Sequence, residues 1–392
     1  MISNLAIPTE WQLRRISDVF EVRAGGDIEW AKWSREQDSN HPFPVYANGR
    51  AHAGLHGYAS YSVEDGDAIT LTARGTPGEL GHAFYRESPF TPIGRLLVLR
   101  SKNVADARFF AAYINGVVRF AQENTGVAQL TAPQVAQYQI YVPPVHEQRA
   151  IATALSDVDA LITGLERLIA KKRDIKQATM QQLLTGQTRL PGFSGDWEVK
   201  RLKELASLKN GYIFRSETYT STGAYKVITI ANVQDGRMVI EGCNTVSAPP
   251  IDIQSHQRLA IGDILISMTG NVGRVCRVTE SDCLLNQRVG TLVPTAVQRD
   301  FLFVLLRQPA FISSMIGAAK GGAQPNLSAS DINEHAFLIP KEQAEQAAIA
   351  TVLSDMDADL YAIEARFTKT RAIKQGMMQE LLTGRTRLVG NT

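Results

Sequence analysis

The feature that most constrains this chain is a long internal repeat. Residues 147–192 and 345–390 align without a gap at an offset of 198, with 27 of 46 positions identical. A period that long copies a whole domain-sized unit, unlike the short periods of stacked-repeat folds. A weaker echo precedes each copy: WQLRRI at 11–16 matches WEVKRL at 197–202, and Gly66-Asp67 before an apolar run matches Gly262-Asp263. Each half therefore reads as a mixed segment followed by a helical one, giving domains at 1–145 and 191–343 and helical spacers at 146–190 and 344–392. At 392 residues the chain has length for two or three cores.

The helical segments carry a heptad stripe. Ile151, Leu155, Val158, Ile162, Leu165 and Ile169 fall at steps of four and three, and Ile349, Leu353, Met356, Leu360, Ile363 and Phe367 repeat the register. Such narrow stripes want each other, so the two are expected to form a coiled coil. Past Lys171 and Thr370 the heptad lapses, and apolar positions resume at Ile175, Leu183 and Leu184 and at Ile373, Leu381 and Leu382, where the seam should change partner. Gly186 and Gly384 suit the left-handed residue that ends a helix. The first helix delivers the chain to the second domain and the second starts from there, so the pair should run antiparallel. The copy ending at residue 192 runs into the second domain as the copy ending at 390 would run into the first, which points to a pseudo-twofold ring with neighbouring termini. A helix over 147–184 is roughly 57 Å long. A turn of duplex is roughly 34–36 Å, so two domains on such a rod could face two short sites about a turn apart.

Both mixed segments interleave short apolar runs with turn signals, the α+β (mixed α/β) pattern. One helix is expected near 107–121 and one near 300–316, with strands at 264–268 and 273–278 around a glycine-rich turn. Their loops hold side chains suited to base edges, since arginine and lysine pair with guanine while asparagine and glutamine pair with adenine. These are Asn48, Arg50, Arg74, Asn124 and Gln129 in the first domain and Arg274, Asn286, Gln287, Arg288, Lys320, Gln324 and Asn326 in the second. Taken singly each reads more simply as a solvated or turn-stabilising side chain, and it is as a set that they suggest base edges.

Charge alone does not argue for nucleic acid. Net charge is +2, with 13 basic against 14 acidic residues in 1–145 and 15 against 13 in 193–341. Phosphate neutralisation usually supplies much of the affinity, so any grip on DNA should be shared with partners. Cys243, Cys276 and Cys283 are too few and uneven for a disulfide framework or metal site and read as core residues. His52 and His56 stand four apart, but the glycines around them argue against the helix a metal pair would need. Apolar runs such as 301–306 are far shorter than the roughly 20 residues of a membrane span, and 1–11 lacks a secretory pattern. The expected location is the cytoplasm.

The duplicated EQxxIAxxLSDxDA opening, the KQxxMQxLLTGxTRL close and the GxAQPNLS-to-P lead-in together resemble the specificity subunit of type I restriction-modification systems, over essentially the whole chain. The resemblance implies that each mixed segment is a target recognition domain reading half of a split sequence in double-stranded DNA. The helices would set the gap and dock two modification subunits, and restriction subunits would complete the complex. Leu183, Leu184, Leu381 and Leu382, in the two LLTG runs, become candidate partner contacts. The two domains differ clearly in sequence, which implies an asymmetric target. Adenine methylation and ATP-driven cleavage, with S-adenosylmethionine, ATP and Mg²⁺, would belong to the partners, leaving this chain without a catalytic residue, metal or cofactor. Consistent with that, it lacks a P-loop and a GxGxxG fingerprint. The alternatives are a fused nuclease or methyltransferase, whose best trace is Asp196, Glu198 and Lys200, and a helical scaffold without direct DNA readout.

Overall fold

The computed structural model describes residues 7–75, 78–120, 129–321 and 325–388. Two helices, Val145–Leu184 and Gln343–Leu381, account for 40 and 39 residues, about 60 and 58 Å of rod. Each begins shortly after proline, Pro144 and Pro340, whose missing N–H breaks the preceding strand. Each stops at a left-handed glycine, Gly186 at φ 71° and Gly384 at φ 73°.

The chain divides into two compact units. One unit is Met1–Glu166 with Ala365–Thr392, and the other is Arg167–Glu364. Each unit thus combines one mixed domain with part of both long helices.

In the first unit an antiparallel sheet runs in the order Phe20–Ala24, Leu97–Ser101, Ala68–Leu71, Ala83–Arg86. Ala68–Leu71 is buried on both faces. One side meets helix Ala107–Val117, which lays Phe109, Phe110 and Tyr113 against Ile69, Leu71 and Leu99. Asp106 caps that helix by accepting from the N–H groups of Arg108 and Phe109. A second sheet orders Trp33–Ser34, Leu55–Ala59, Phe43–Tyr46 and Thr91–Pro92, the last two parallel. A ribbon of Gln12–Arg15 with Gln139–Val142 joins the start of the domain to the strand that feeds the helix.

The second unit repeats this plan. Its first sheet orders Ala206–Asn210, Val289–Pro294, Ile264–Ser267 and Val275–Arg277. Its second orders Asn244–Val246, Tyr225–Ile228, Cys283–Leu285 and Arg258–Leu259, with the middle two parallel. Trp197–Arg201 pairs with Ala336–Pro340 as the ribbon. The helix expected near 300–316 is two, Arg299–Leu305 and Pro309–Ala318. Pro309 lacks an N–H to continue the ladder and instead opens a new first turn. Cys276 and Cys283 are buried and Cys243 half-buried; burial pushes the Cys276 thiol up to about 12 and that of Cys283 to about 11. Among the described residues no single helix is long and apolar enough to cross a membrane.

The duplicated motif closes each unit on itself. In the first, Arg387 grips the fully buried Glu147 carboxylate through Nε and, at 2.8 Å, Nη2, while Trp11 Nε1 donates to Glu147 Oε2 at 3.2 Å. In the second, Arg189 holds buried Glu345 at 2.5 and 2.7 Å. These are bidentate, charge-assisted pairs, and the Glu147 carboxylate holds the Arg387 guanidinium above its ordinary pKa. The EQ opening and the TR of the close are therefore two halves of one clamp. Residues from both terminal regions meet in this way inside the first unit, where Arg387 also reaches Glu10 at 2.9 Å.

The four leucines proposed as partner contacts are corrected by this geometry. Leu381 and Leu382 lie in the first unit's core beside Ile151, Leu155, Phe109 and Tyr113, and Leu183 and Leu184 in the second unit's core beside Ile349, Leu353, Leu202 and Leu205. All four are at most 5% exposed, so they supply core burial of about 1.5–3 kcal/mol each and no outer surface.

The heptad stripe is accordingly divided. Its first positions, Ile151 and Leu155 and their counterparts Ile349 and Leu353, serve domain cores. Leu165, Ile169 and Leu360 are buried further along, Val158, Ile162, Met356, Ile363 and Phe367 are partly buried, and Ile175 and Ile373 are exposed. The helices pack together and run antiparallel. Lys172 pairs with Asp359 at 2.9 Å and Lys176 with Asp357 in the second unit, and Lys374 with Asp159 at 2.5 Å in the first. Residue numbers rise on one helix as they fall on the other.

Candidate nucleic-acid interface

In the second unit, three loop segments are locked side by side by main-chain hydrogen bonds. The N–H of Met268, just past strand Ile264–Ser267, donates to Arg288 O at 3.0 Å, and Leu327 N–H donates to Met268 O at 2.8 Å. Gly270 N–H adds a 2.8 Å bond to Pro325 O, and Lys320 and Asn326 exchange a reciprocal pair at 3.1 and 2.8 Å. The hydroxyl of Thr269 donates to Asn326 Oδ1 at 2.7 Å. This leaves the exposed side chains of Gln287, Arg288 and Lys320, and the amide nitrogen of Asn326, on adjoining loops.

The first unit builds the same junction from different residues. Leu130 N–H donates to Ala73 O at 2.8 Å, and Arg74 bridges to Gln129, as Thr269 does to Asn326. The third segment is the turn after Thr91–Pro92, and Asn48 ties it in. Asn48 Oδ1 accepts from the N–H of Ala73 at 2.8 Å and of Arg74 at 3.2 Å, while Nδ2 donates to Gly94 O at 2.6 Å.

Of the residues chosen from sequence, the structure brings Asn48, Arg74 and Gln129 together in the first unit and Gln287, Arg288, Lys320 and Asn326 in the second. Arg50 is exposed two residues beyond Asn48. Three choices are engaged within the protein. Asn48 is spent on backbone groups. Asn286 is 7% exposed and accepts from Arg288 N–H. Arg274 is half-buried, with Nη1 held by Gln234 at 2.6 Å. The Asn48 amide and the Asn286 carbonyl oxygen already hold the loops, and one guanidinium nitrogen of Arg274 does so as well. Asn124 and Gln324 lie outside the described residues.

One candidate was missed. Gln287 N–H donates to Tyr212 O and Val289 N–H to Asn286 O; in the first unit Gly94 N–H donates to Gly26 O and Leu96 N–H to Ile93 O. The matched pattern makes Arg95 the counterpart of Arg288. Arg95 is exposed and sits at φ 65°, a left-handed turn position. The signal in sequence was faint: a lone arginine ahead of a buried strand in PIGRLLV and in LNQRVGTL, at an offset of 193 instead of the helical 198. In chemical terms each unit presents two or three arginine or lysine side chains with an amide partner, without an ion pair to any of Arg50, Arg74, Arg95, Arg288 or Lys320 among the described residues. Such a set can pair with guanine and adenine edges or with phosphates.

Residues 8–176 and 194–375 match the family described as type I restriction modification DNA specificity domain. Among curated relatives, the chain is 26% identical over 286 residues to the type I restriction enzyme MjaVIII specificity subunit of Methanocaldococcus jannaschii, covering 68% of this chain and 66% of that one. It is 22% identical over 310 residues to the EcoBI specificity subunit of Escherichia coli, covering 70% and 64%. The chain thus spans a little under two thirds of either relative. The crystal structure of the S subunit of a type I restriction-modification system from M. genitalium shares the fold, with a TM-score of 0.67 at 16% identity over 97% of this chain and 98% of that one.

Proposed function

Because the chain belongs to the family of type I restriction modification DNA specificity domains, in two tandem copies, we propose that it is the sequence-reading subunit of a restriction-modification complex acting in the cytoplasm. Each mixed domain reads one half of an asymmetric, bipartite DNA target. The observation that carries this reading is the twice-built junction of three loops, locked by main-chain bonds in the second unit and with the help of the Asn48 amide in the first, with Arg288 and Arg95 at matching turns and different side chains around them. A shared scaffold with unlike readers suits two unlike half-sites.

The chemistry is assigned to partners: two modification subunits using S-adenosylmethionine, and restriction subunits using ATP and Mg²⁺. With the LLTG leucines buried, the docking surface for modification subunits moves to exposed apolar positions on the long helices, Leu161, Leu168, Ile175 and Ile373. The helices also hold the two half-sites a fixed number of base pairs apart.

Mapping methylated adenines in the host genome, with and without this gene, tests the reading. A bipartite motif that vanishes with the gene supports it. Arg288→Ala should then relax one half-site only, by about 1–3 kcal/mol of discrimination. Purified chain plus modification subunits that shift no DNA selectively would instead make this a scaffold.

A further inference from the structure

Arg86 ends the edge strand Ala83–Arg86 and is 6% exposed, yet among the described residues no carboxylate lies within ion-pair distance of it. Burial pulls its pKa down to about 10. A cation so placed needs compensation from dipoles and π-faces, and it has three kinds. Its Nε donates to Thr70 Oγ1 at 2.8 Å, its Nη2 to Ala53 O at 2.6 Å, and its guanidinium carbon lies 3.4 Å from the centroid of the Tyr46 ring.

Tyr46 and Ala53 are the two stems of one loop. That loop carries Asn48, which positions Arg74, and Arg50, which is exposed. It is an unfavourable loop: His52 at φ 47° and Ala53 at φ 52° are consecutive left-handed residues with side chains, followed by Gly54 at φ 78°. Asparagine and glycine tolerate that region, whereas histidine and alanine do so only when their surroundings over-determine it. An added Cβ on Gly54 would come 2.5 Å from Ala47 O, and Ala47 N–H donates to Gly54 O at 2.9 Å, so the stems are drawn tightly together.

We propose that Arg86 is a specificity-determining positioning residue: its guanidinium holds the 47–54 loop at Tyr46 and Ala53 and thereby, directly and through Asn48, fixes where Arg50 and Arg74 meet DNA. This rests on the recognition role proposed above. Arg86 itself touches no DNA.

The test uses the full chain, with modification subunits added for the DNA selection, carrying Arg86→Gln, which keeps a donor but loses the fork and the charge. Hydrogen exchange should quicken about tenfold or more at the Ala47 and Ala53 amides and stay unchanged in strand Ala68–Leu71. Selection from a duplex pool randomised over both half-sites should lose about tenfold of its discrimination at the first half-site and none at the second. Adding Ala53→Gly, which relieves the left-handed strain, should restore part of both losses. Unchanged exchange, equal loss at both half-sites, or no recovery with glycine would overturn the proposal. A loosened loop with unaltered selection removes the specificity role alone, whereas a wild-type chain that selects no sequence brings down the recognition reading and this role together.

Discussion

Glu147 and Glu345 are carboxylates shut away from water, and each depends on one arginine, 240 and 156 residues away in sequence respectively. Removing one partner of such a pair strands the other charge, at a cost of about 3–5 kcal/mol. Arg189→Ala is therefore expected to destabilise the second unit by about that much, seen as a lowered melting temperature. Arg387→Ala should cost the first unit less, because Trp11 Nε1 still donates to Glu147, whereas the buried Trp197 Nε1 has no hydrogen-bond partner among the described residues. Equal losses would contradict this account. His335 offers a pH prediction. It is packed on Phe311 and Phe337, and desolvation holds its pKa below the ordinary 6.5. The unfolded chain then binds the proton more readily than the folded one, so stability is full above about 6.5 and falls as pH drops from there towards the folded pKa. His335→Gln should flatten the dependence of the second unit's melting temperature between pH 7.5 and 5.

At the level of elements, Leu382→Ala tests whether the LLTG run faces inward. A fully buried leucine leaves a cavity, so about 2–5 kcal/mol should be lost; Ile175→Glu, on an exposed helix position, should leave the melt alone and weaken binding of the modification subunit. The opposite pattern would restore the leucines as contacts. The long helices and their glycine stops were legible because a heptad and a left-handed cap depend on neighbours a few residues away, and their antiparallel sense because the order of domains along the chain requires it. The role of the leucines was not, since an apolar pair at a helix end looks alike whether it enters a core or awaits a partner. The same blindness misplaced Asn48 and Asn286: an amide that could pair with adenine can equally cap a backbone, and only the fold says which groups are already engaged. Arg86 and the Glu–Arg clamps escaped for a further reason, since their partners are distant in sequence and charge pairing of that kind has no period.

For the whole molecule, the spacer role predicts a change of gap without a change of letters. Inserting four residues after Ala170, matched by four after Thr368, adds about 6 Å of helix, close to two base pairs at 3.4 Å each. The methylated motif should widen with both halves intact; altered halves with the old gap would refute it. Neither repeat is self-sufficient, for the first domain's core takes in Leu381 and Leu382 and its buried Glu147 needs Arg387, all from the far end of the chain. A fragment cut after Gly192 would keep the socket while carrying, in Leu183, Leu184 and Arg189, a plug of the matching pattern. Two such fragments can complete one another, so the truncated protein should sediment as a homodimer, and its target should become a palindrome.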